Sequence, residues 1–323
     1  MKISVVDKGS GIAQQFARAI GAKTSGRFIY VPKSKGDGYI TGFSWGDLRM
    51  MIRNYYLQEP VLLERTNELA EGQEDIVVLL SGVFPPLLHE QEQLLPESPH
   101  IMICRHAVSA IAEMPSHTSF GSVTIVTSRK YLHQLFGHID HPIVANVLAA
   151  KENFVVEMDI SPAIIATASE MLGQPVPESL ESHYYRLKCE ELLCHTFALL
   201  LKREELPAIG AHINDIKAIY AIKAHLQAHL SEPPHIAELA KQAKMSEPKL
   251  RQLFKRTFGR SVFEYYQFLR METAARLLKD KKLTVSEVGY QLGFTNLSHF
   301  SRVFEQHTGM KPKKYSAAFI GIK

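Results

Sequence analysis

The sequence predicts an α+β protein, in which a β-rich N-terminal domain with a helical segment precedes an all-α C-terminal domain. Short runs of Val, Ile and aromatic residues, separated by turn-forming residues, fill residues 1–135. Apolar residues then recur at helical spacing over residues 142–206. A helix-turn-helix pattern is finally written twice, over 235–259 and 284–309, with a connecting helix over 261–279. The three patterns divide the chain into domains at 1–210 and 211–323.

Seven strands are expected in the β-rich part, followed by a helix that begins at Arg129. The strands are predicted at 28–31, 38–46, 48–56, 61–63, 76–80, 100–104 and 123–126. Many short strands at this spacing are typical of an antiparallel sandwich or barrel.

The helical segment is expected to contain helices over 163–172 and 178–206. The longer helix carries an apolar stripe at i, i+3 and i+4 spacing: Leu187, Leu192, Leu193, Phe197, Leu200 and Leu201. This stripe either packs onto its own domain or forms a two-helix dimerisation face. Residues 207–210 (PAIG) then interrupt the pattern, and a helix over 213–230 opens the second domain.

The repeat is the most informative feature of the chain. Residues 236–254 align with 285–304 at an offset of 49 before the turn and 50 after it, so the second copy has one extra residue. Each copy predicts a helix, a tight turn and a second helix. Two such units can place two helices in successive major-groove turns of DNA.

Local signals fix the limits of these helices. Ser246 is a good N-cap for the second helix of the first copy. Residues 284–287 and 261–264 both have the sequence of a capping box. Gly293 can supply a positive φ in the second turn, and Gly289 is small at the point where two helices should cross.

Charge supports a polyanionic partner for the C-terminal domain alone. Residues 211–323 contain 19 Lys and Arg against 9 Asp and Glu, a net of +10, whereas residues 1–210 contain 18 against 24, a net of −6. Basic residues concentrated in one domain favour nucleic acid.

The same residues resemble the AraC/XylS family of bacterial transcription regulators over roughly 215–316. The most specific segments are 293–304 (GFTNLSHFSRVF), 308–312 (TGMKP) and Tyr315. The resemblance places base-facing residues at Pro248, Arg251, Gln252, Asn296, Leu297, Ser298, Ser301 and Arg302. Lys249 and Lys255 are expected beside them, at the DNA. Lys244, Lys311 and Ser316 depart from the family pattern.

For the N-terminal domain the resemblance implies a cupin-like barrel and a helical dimer segment, which would sense an effector or mediate dimerisation. Residues 38–43 and 131–136 resemble the siderophore-regulator-like branch of the family. The candidate effector pocket consists of four aromatic residues: Tyr39, Phe43, Trp45 and Tyr55. Expected partners are double-stranded promoter DNA, RNA polymerase, a small-molecule effector and a second copy held through 163–206.

No cofactor, metal site or catalytic residue is expected. The chain has no His-x-His pair of the kind that a cupin metal site requires. The start of the chain lacks the apolar segment of a secretory signal, and three unpatterned cysteines favour a cytoplasmic location. Two alternatives remain open. In one, an enzyme is tethered to DNA by the repeats; in the other, the repeats bind protein.

Overall fold

A computed structural model describes residues 1–8, 12–68, 75–87, 94–106, 110–173, 175–280 and 283–318. Contacts divide the chain into two compact units, Met1–Ile213 and Asn214–Lys323. The first unit is β-rich with a helical segment and the second is helical. This arrangement confirms the predicted fold class. The last five residues of the predicted C-terminal domain, 319–323, lie outside the described part of the chain.

All seven predicted strands are present in the first unit, and the described residues add five more. The strands are β1 Lys2–Asp7, β2 Lys23–Ser25, β3 Phe28–Tyr30, β4 Gly36–Trp45, β5 Leu48–Leu57, β6 Val61–Asn67, β7 Asp75–Ser81, β8 Leu95–Pro96, β9 His100–Arg105, β10 Ala110–Met114, β11 Thr118–Ser128 and β12 Val155–Met158.

These strands form two sheets. The larger sheet has the order β12-β9-β7-β11-β5-β4-β3-β2, with β8 also paired to β11, and the smaller has the order β1-β6-β10. Pairing is antiparallel except between β1 and β6 and between β8 and β11. The expectation of an antiparallel sandwich therefore holds for most pairs and fails for these two.

The helices of the first unit are α1 Ile12–Ile20, α2 Arg129–Phe136, α3 Pro142–Ala149, α4 Pro162–Gly173 and α5 Glu178–Leu200. The predicted end of α5 at 206 is wrong, because Arg203 leaves the helix to donate hydrogen bonds to the carbonyl oxygens of Glu157 and Glu205. Strand β12 also interrupts the segment that was expected to be helical. Its adjacent Val155 and Val156 pair with β9, and this tertiary pairing outweighs the local pattern.

One face of the larger sheet packs against α2, α3, α4 and α5. The stripe on α5 contributes Leu192, Leu193, Phe197 and Leu200 to this core, all at most 2% exposed. Most of the stripe therefore packs onto its own domain. This agrees with the first of the two interpretations given for the stripe. Leu187 and Leu201 are exposed instead.

The described part of the second unit is helical throughout, with short turns and loops between the helices. They are α6 Ile213–Ala228, α7 Ile236–Gln242, α8 Glu247–Phe258, α9 Val262–Asp280, α10 Val285–Gln291, α11 Leu297–Thr308 and α12 Pro312–Ala318. Helix α9 connects the two repeats, as predicted. Within the described ranges, no helix has the length and apolar composition needed to cross a bilayer.

Candidate DNA-binding interface

Each repeat folds into a seven-residue helix, a tight turn and a twelve-residue helix. In the first repeat, α7 presents Leu239 and Ala240 to the interior, and α8 buries Leu250 and Phe254 against them. In the second repeat, Val288 and Phe300 are fully buried. These apolar contacts hold the outer faces of α8 and α11 toward solvent.

The expected caps at Ser246 and Thr284 are present, and Asn296 provides a further N-cap that the sequence analysis did not predict. The Ser246 hydroxyl accepts a hydrogen bond from the Lys249 amide, and Asn296 Oδ1 accepts from the amides of Ser298 and His299 at 2.9 and 3.0 Å. The capping box of Thr284 and Glu287 is complete. Caps of this kind satisfy amides that would otherwise lack partners in the first turn of a helix.

The second predicted capping box also forms, and it opens α9. The Ser261 amide donates to Glu264 Oε2 at 2.7 Å, and the Glu264 amide donates to the Ser261 hydroxyl at 3.3 Å. These hydrogen bonds hold the pKa of the Glu264 carboxyl below its usual value. The start of the connecting helix is thereby fixed directly after the first repeat.

Close packing between α10 and α11 leaves little room for a side chain at position 289. A Cβ on Gly289 would lie 2.7 Å from Leu297 Cδ2 and 3.3 Å from Phe300 Cδ1. The expectation that the two helices cross closely here is confirmed. The same contact leaves Leu297 half-buried over Gly289 rather than wholly on the outer face.

Most of the expected DNA-contacting residues lie on the outer faces of α8 and α11. Eight are exposed: Pro248, Lys249, Arg251, Gln252, Lys255, Asn296, Ser298 and Arg302. Leu297 and Ser301 are half-buried. Asn296 uses its carbonyl oxygen as a helix cap, so its amide nitrogen is the atom that it can offer to a base.

Lys249 has a partner that the sequence did not reveal. Its Nζ lies 2.8 Å from Oδ2 of Asp215, a residue in the first turn of α6. The side chains are 51% and 23% exposed, respectively, so the pair is accessible to solvent and to ions. A DNA phosphate would compete with Asp215 for the same ammonium group.

Arg270 of α9 is a second residue that sequence reasoning missed. Its Nε and Nη2 donate to the carbonyl oxygen of Leu292, at 3.0 and 2.7 Å, and its guanidinium lies 3.6 Å from the centroid of the Phe294 ring. Burial lowers the pKa of this guanidinium. Arg270 thus joins the connecting helix to the turn of the second repeat.

The four aromatic residues of the expected effector pocket do not come together. Tyr39, Phe43 and Trp45 pack toward the helices on one side of the larger sheet, and Trp45 Nε1 donates to the Ser182 hydroxyl at 2.9 Å. Tyr55 lies in the core on the opposite face, between Phe16 and Phe120. Among them, Phe43 borders the cavity that lies between the two sheets.

The two repeats define a class of domain, a tandem helix-turn-helix DNA-binding domain. A family model described as a helix-turn-helix domain matches residues 239–318. In this region the chain carries a helix-turn-helix domain of the AraC type, as the signature segments predicted.

Curated relatives are transcriptional activators. The HTH-type transcriptional activator RhaR of Yersinia pseudotuberculosis serotype O:1b is 29% identical over 157 residues, which is 48% of this chain and 54% of the relative. RhaR of Escherichia coli O139:H28 is 29% identical over 156 residues, with 47% and 54% covered. The match thus spans about half the length of these relatives.

Two solved structures match this chain over different shares of its length. The DNA-binding domain of AdpA, in complex with a target DNA, is 26% identical with a TM-score of 0.30 and covers 32% of this chain and 92% of that chain. ToxT from Vibrio cholerae O395 is 15% identical with a TM-score of 0.32, and covers 88% and 97%.

Proposed function

We propose that this protein is a sequence-specific DNA-binding transcription regulator that inserts α8 and α11 into adjacent major-groove segments of promoter DNA. Arg251, Gln252 and Arg302 would contact base edges, since guanidinium and amide groups match the acceptors and donors of the major groove. Lys249 and Lys255 would contact phosphates and supply affinity that falls as salt rises.

One observation carries this proposal. Two repeats of matched geometry each present a capped, twelve-residue helix with an exposed polar and basic face. A protein-binding module would not need two such faces, whereas a regulator that reads two half-sites would.

The remaining DNA-facing residues complete the proposed contact set. Pro248, Asn296, Leu297, Ser298 and Ser301 line the N-terminal and outer parts of the two helices. Leu297 offers apolar contact with a thymine methyl group from the part of its side chain that Gly289 leaves exposed. The Asn296 amide and the two serine hydroxyls offer hydrogen bonds.

We propose that the N-terminal unit modulates this binding through an effector, and that RNA polymerase and a second copy of the chain are further partners. For a second copy through 163–206, the support is the exposure of Ile165, Leu180 and Leu187 on α4 and α5. The function proposed is binding rather than catalysis. Burial raises the pKa of the Cys104 thiol to about 11, which disfavours a nucleophilic thiolate.

The test is selection of genomic DNA fragments by the purified full-length protein, with and without a crude metabolite extract. The proposal predicts an enriched motif with two half-sites about one helical turn apart. If the wild type enriched the motif no more strongly than a variant with both Arg251→Ala and Arg302→Ala, the proposal would be overturned.

A further inference from the structure

A cavity lies within the first unit, between the two sheets. It measures about 630 Å³ and is bordered by β4, β5, β7, β9 and β11 on one side and by β1, α1 and β6 on the other. Sites for small molecules commonly occupy about 300–1,000 Å³.

The floor of the cavity is apolar and incompletely packed. Met51, Leu79 and Met102 lie in register across the sheet, with Thr124 between Met51 and Leu79. All four are half-buried, although they belong to central strands of the sheet. Apolar side chains left half-exposed in a sheet interior favour an apolar ligand, and methionine adapts to ligands of irregular shape.

The polar lining of the cavity is predominantly cationic. Arg27, Arg49, Arg53 and Arg65 line it, whereas Asp7 is the one carboxylate among the described lining residues. The carboxylates that pair with the first three of these arginines lie outside that lining. A ligand in this cavity would therefore face more guanidinium groups than carboxylates.

Arg53 has the loosest of these ion pairs. Its Nη2 lies 3.9 Å from Glu97 Oε1, beyond hydrogen-bonding distance, while its Nε donates to the Ser122 hydroxyl at 2.8 Å. In contrast, Arg27 forms two hydrogen bonds with Glu181, and Arg49 forms one with Asp75. Arg53 is thus the guanidinium best placed to donate a hydrogen bond to an oxygen of a ligand.

We propose that this cavity binds an apolar organic anion, whose body lies on Met51, Leu79 and Met102 and whose acidic group is bound by Arg53. The role of this anion as an effector rests on the proposed function. The class follows from chemistry, because an apolar floor requires an apolar body and a lining rich in arginine favours an oxyanion. A neutral molecule of the same shape would bind more weakly, and an organic cation more weakly still.

The experiment compares two fluorescent probes that share one skeleton, 8-anilinonaphthalene-1-sulfonate and uncharged N-phenyl-1-naphthylamine, in titrations of the full-length protein. We expect one saturable site that binds the sulfonate about tenfold more tightly, since a charge-assisted hydrogen bond contributes at least this factor. Arg53→Gln should remove this preference and leave the neutral probe unaffected. Leu79→Phe should weaken both probes by filling the floor.

Matched substitutions elsewhere in the same unit serve as controls. Leu187→Phe makes the same change at an exposed position of α5, and Arg186→Gln removes an exposed guanidinium. Both should bind the probes as the wild type does. Equal affinity of the wild type for the two probes would overturn the proposal, and so would unchanged sulfonate binding in a folded Arg53→Gln variant.

The same samples separate this inference from the proposed function. DNA selection that survives while the probe preference is missing removes the anion site and leaves the regulator in place. Probe binding that shows the expected preference, without DNA selection, supports the anion site and removes the proposed regulator function. The wild-type comparison needs no variant, so misfolding of Leu79→Phe would leave the result decisive.

Discussion

Lys244 and Gly293 adopt the same left-handed backbone conformation, with φ of 53° and 77°, at equivalent positions of the two turns. The residues that follow repeat the same hydrogen bonds. The Met245 amide donates to the Ala240 carbonyl at 3.1 Å, and the Phe294 amide donates to the Gly289 carbonyl at 2.9 Å. The two turns therefore have one geometry, although only one has a glycine at this point.

Lys244→Gly should stabilise the protein. A residue with a Cβ is strained in the left-handed region by about 1–2 kcal/mol, and the greater unfolded-state entropy of glycine offsets about 0.5–1 kcal/mol of that. We expect a net gain of about 0.5–1 kcal/mol in the free energy of unfolding, measured in urea. A loss of stability would show that the Lys244 side chain contributes more than its backbone strain costs.

Gly293→Ala should destabilise the protein by more than strain alone. A Cβ at this position would lie 2.0 Å from the backbone oxygen of Ser231, so the chain must move. Gly309→Ala is the matched control, because Gly309 has φ of 74° and no atom within 4 Å of the added carbon. We expect a loss of about 1 kcal/mol for the control and at least about twice that for Gly293→Ala. Equal losses would contradict the packing of this turn.

Arg302→Ala and Lys255→Ala should weaken DNA binding in different ways. Arg302 is expected to contact a base, so its loss should cost about 1–3 kcal/mol on the selected site and little on random DNA. Lys255 is expected to contact a phosphate, so its loss should weaken binding to every sequence and lower the salt dependence by about one ion. Titrations at several salt concentrations distinguish the two. If the Arg302→Ala protein distinguished the selected site from random DNA as well as the wild type does, Arg302 would not be a base-contacting residue.

Asp215→Asn should increase affinity for DNA by a few-fold at low salt, because it removes a carboxylate that competes with phosphate for Lys249. The increase should shrink as salt screens the interaction. In a Lys249→Ala background the same change should have less effect. An equal increase in both backgrounds would show that Asp215 acts through the overall charge of the domain and not through this pair.

Acid should weaken the two capping boxes. Hydrogen bonds from the backbone amides of Ser261 and Thr284 lower the pKa of the Glu264 and Glu287 carboxyls in the folded protein. A carboxyl whose pKa is lower in the folded protein than in the unfolded chain stabilises the fold. This stabilisation is fully present above the unfolded pKa, about 4.3, and is lost as pH falls through the folded pKa. The wild type should therefore unfold more readily as pH falls below about 4.3.

A variant with both Glu264→Gln and Glu287→Gln tests this prediction by thermal unfolding across the pH range. The stability difference between the wild type and this variant should close as pH falls, because protonation removes the same charges. Glu305→Gln, near the end of α11, is the control and should keep the pH dependence of the wild type. A difference that stays constant with pH would contradict the role of the two carboxylates.

The C-terminal domain could be predicted in detail because its signals are local. Caps, turn glycines and the apolar period each act within a few residues, so the alignment of the repeats specified both turns. The structure also locates the extra residue of the second copy. Lys244 and Gly293, at equivalent positions of the two turns, are 49 positions apart, whereas the N-caps Ser246 and Asn296 are 50 positions apart. The additional residue of the second copy is therefore Thr295.

The N-terminal cavity could not be predicted because it depends on non-local pairing. Met51 and Met102 share a floor only because β11 and β7 lie between their strands. The ion pair of Lys249 with Asp215 has the same origin, since 34 positions separate the two residues in the sequence. Side-chain type alone does not indicate which strands or helices become neighbours.

Hydroxyl-radical footprinting of the full-length protein on its selected site tests the central claim most directly. Two helices in adjacent major-groove segments predict two protected segments about 10 base pairs apart on one face of the DNA. Arg251→Ala should weaken one segment and Arg302→Ala the other. A single protected segment, or loss of both segments together with either substitution, would contradict the account.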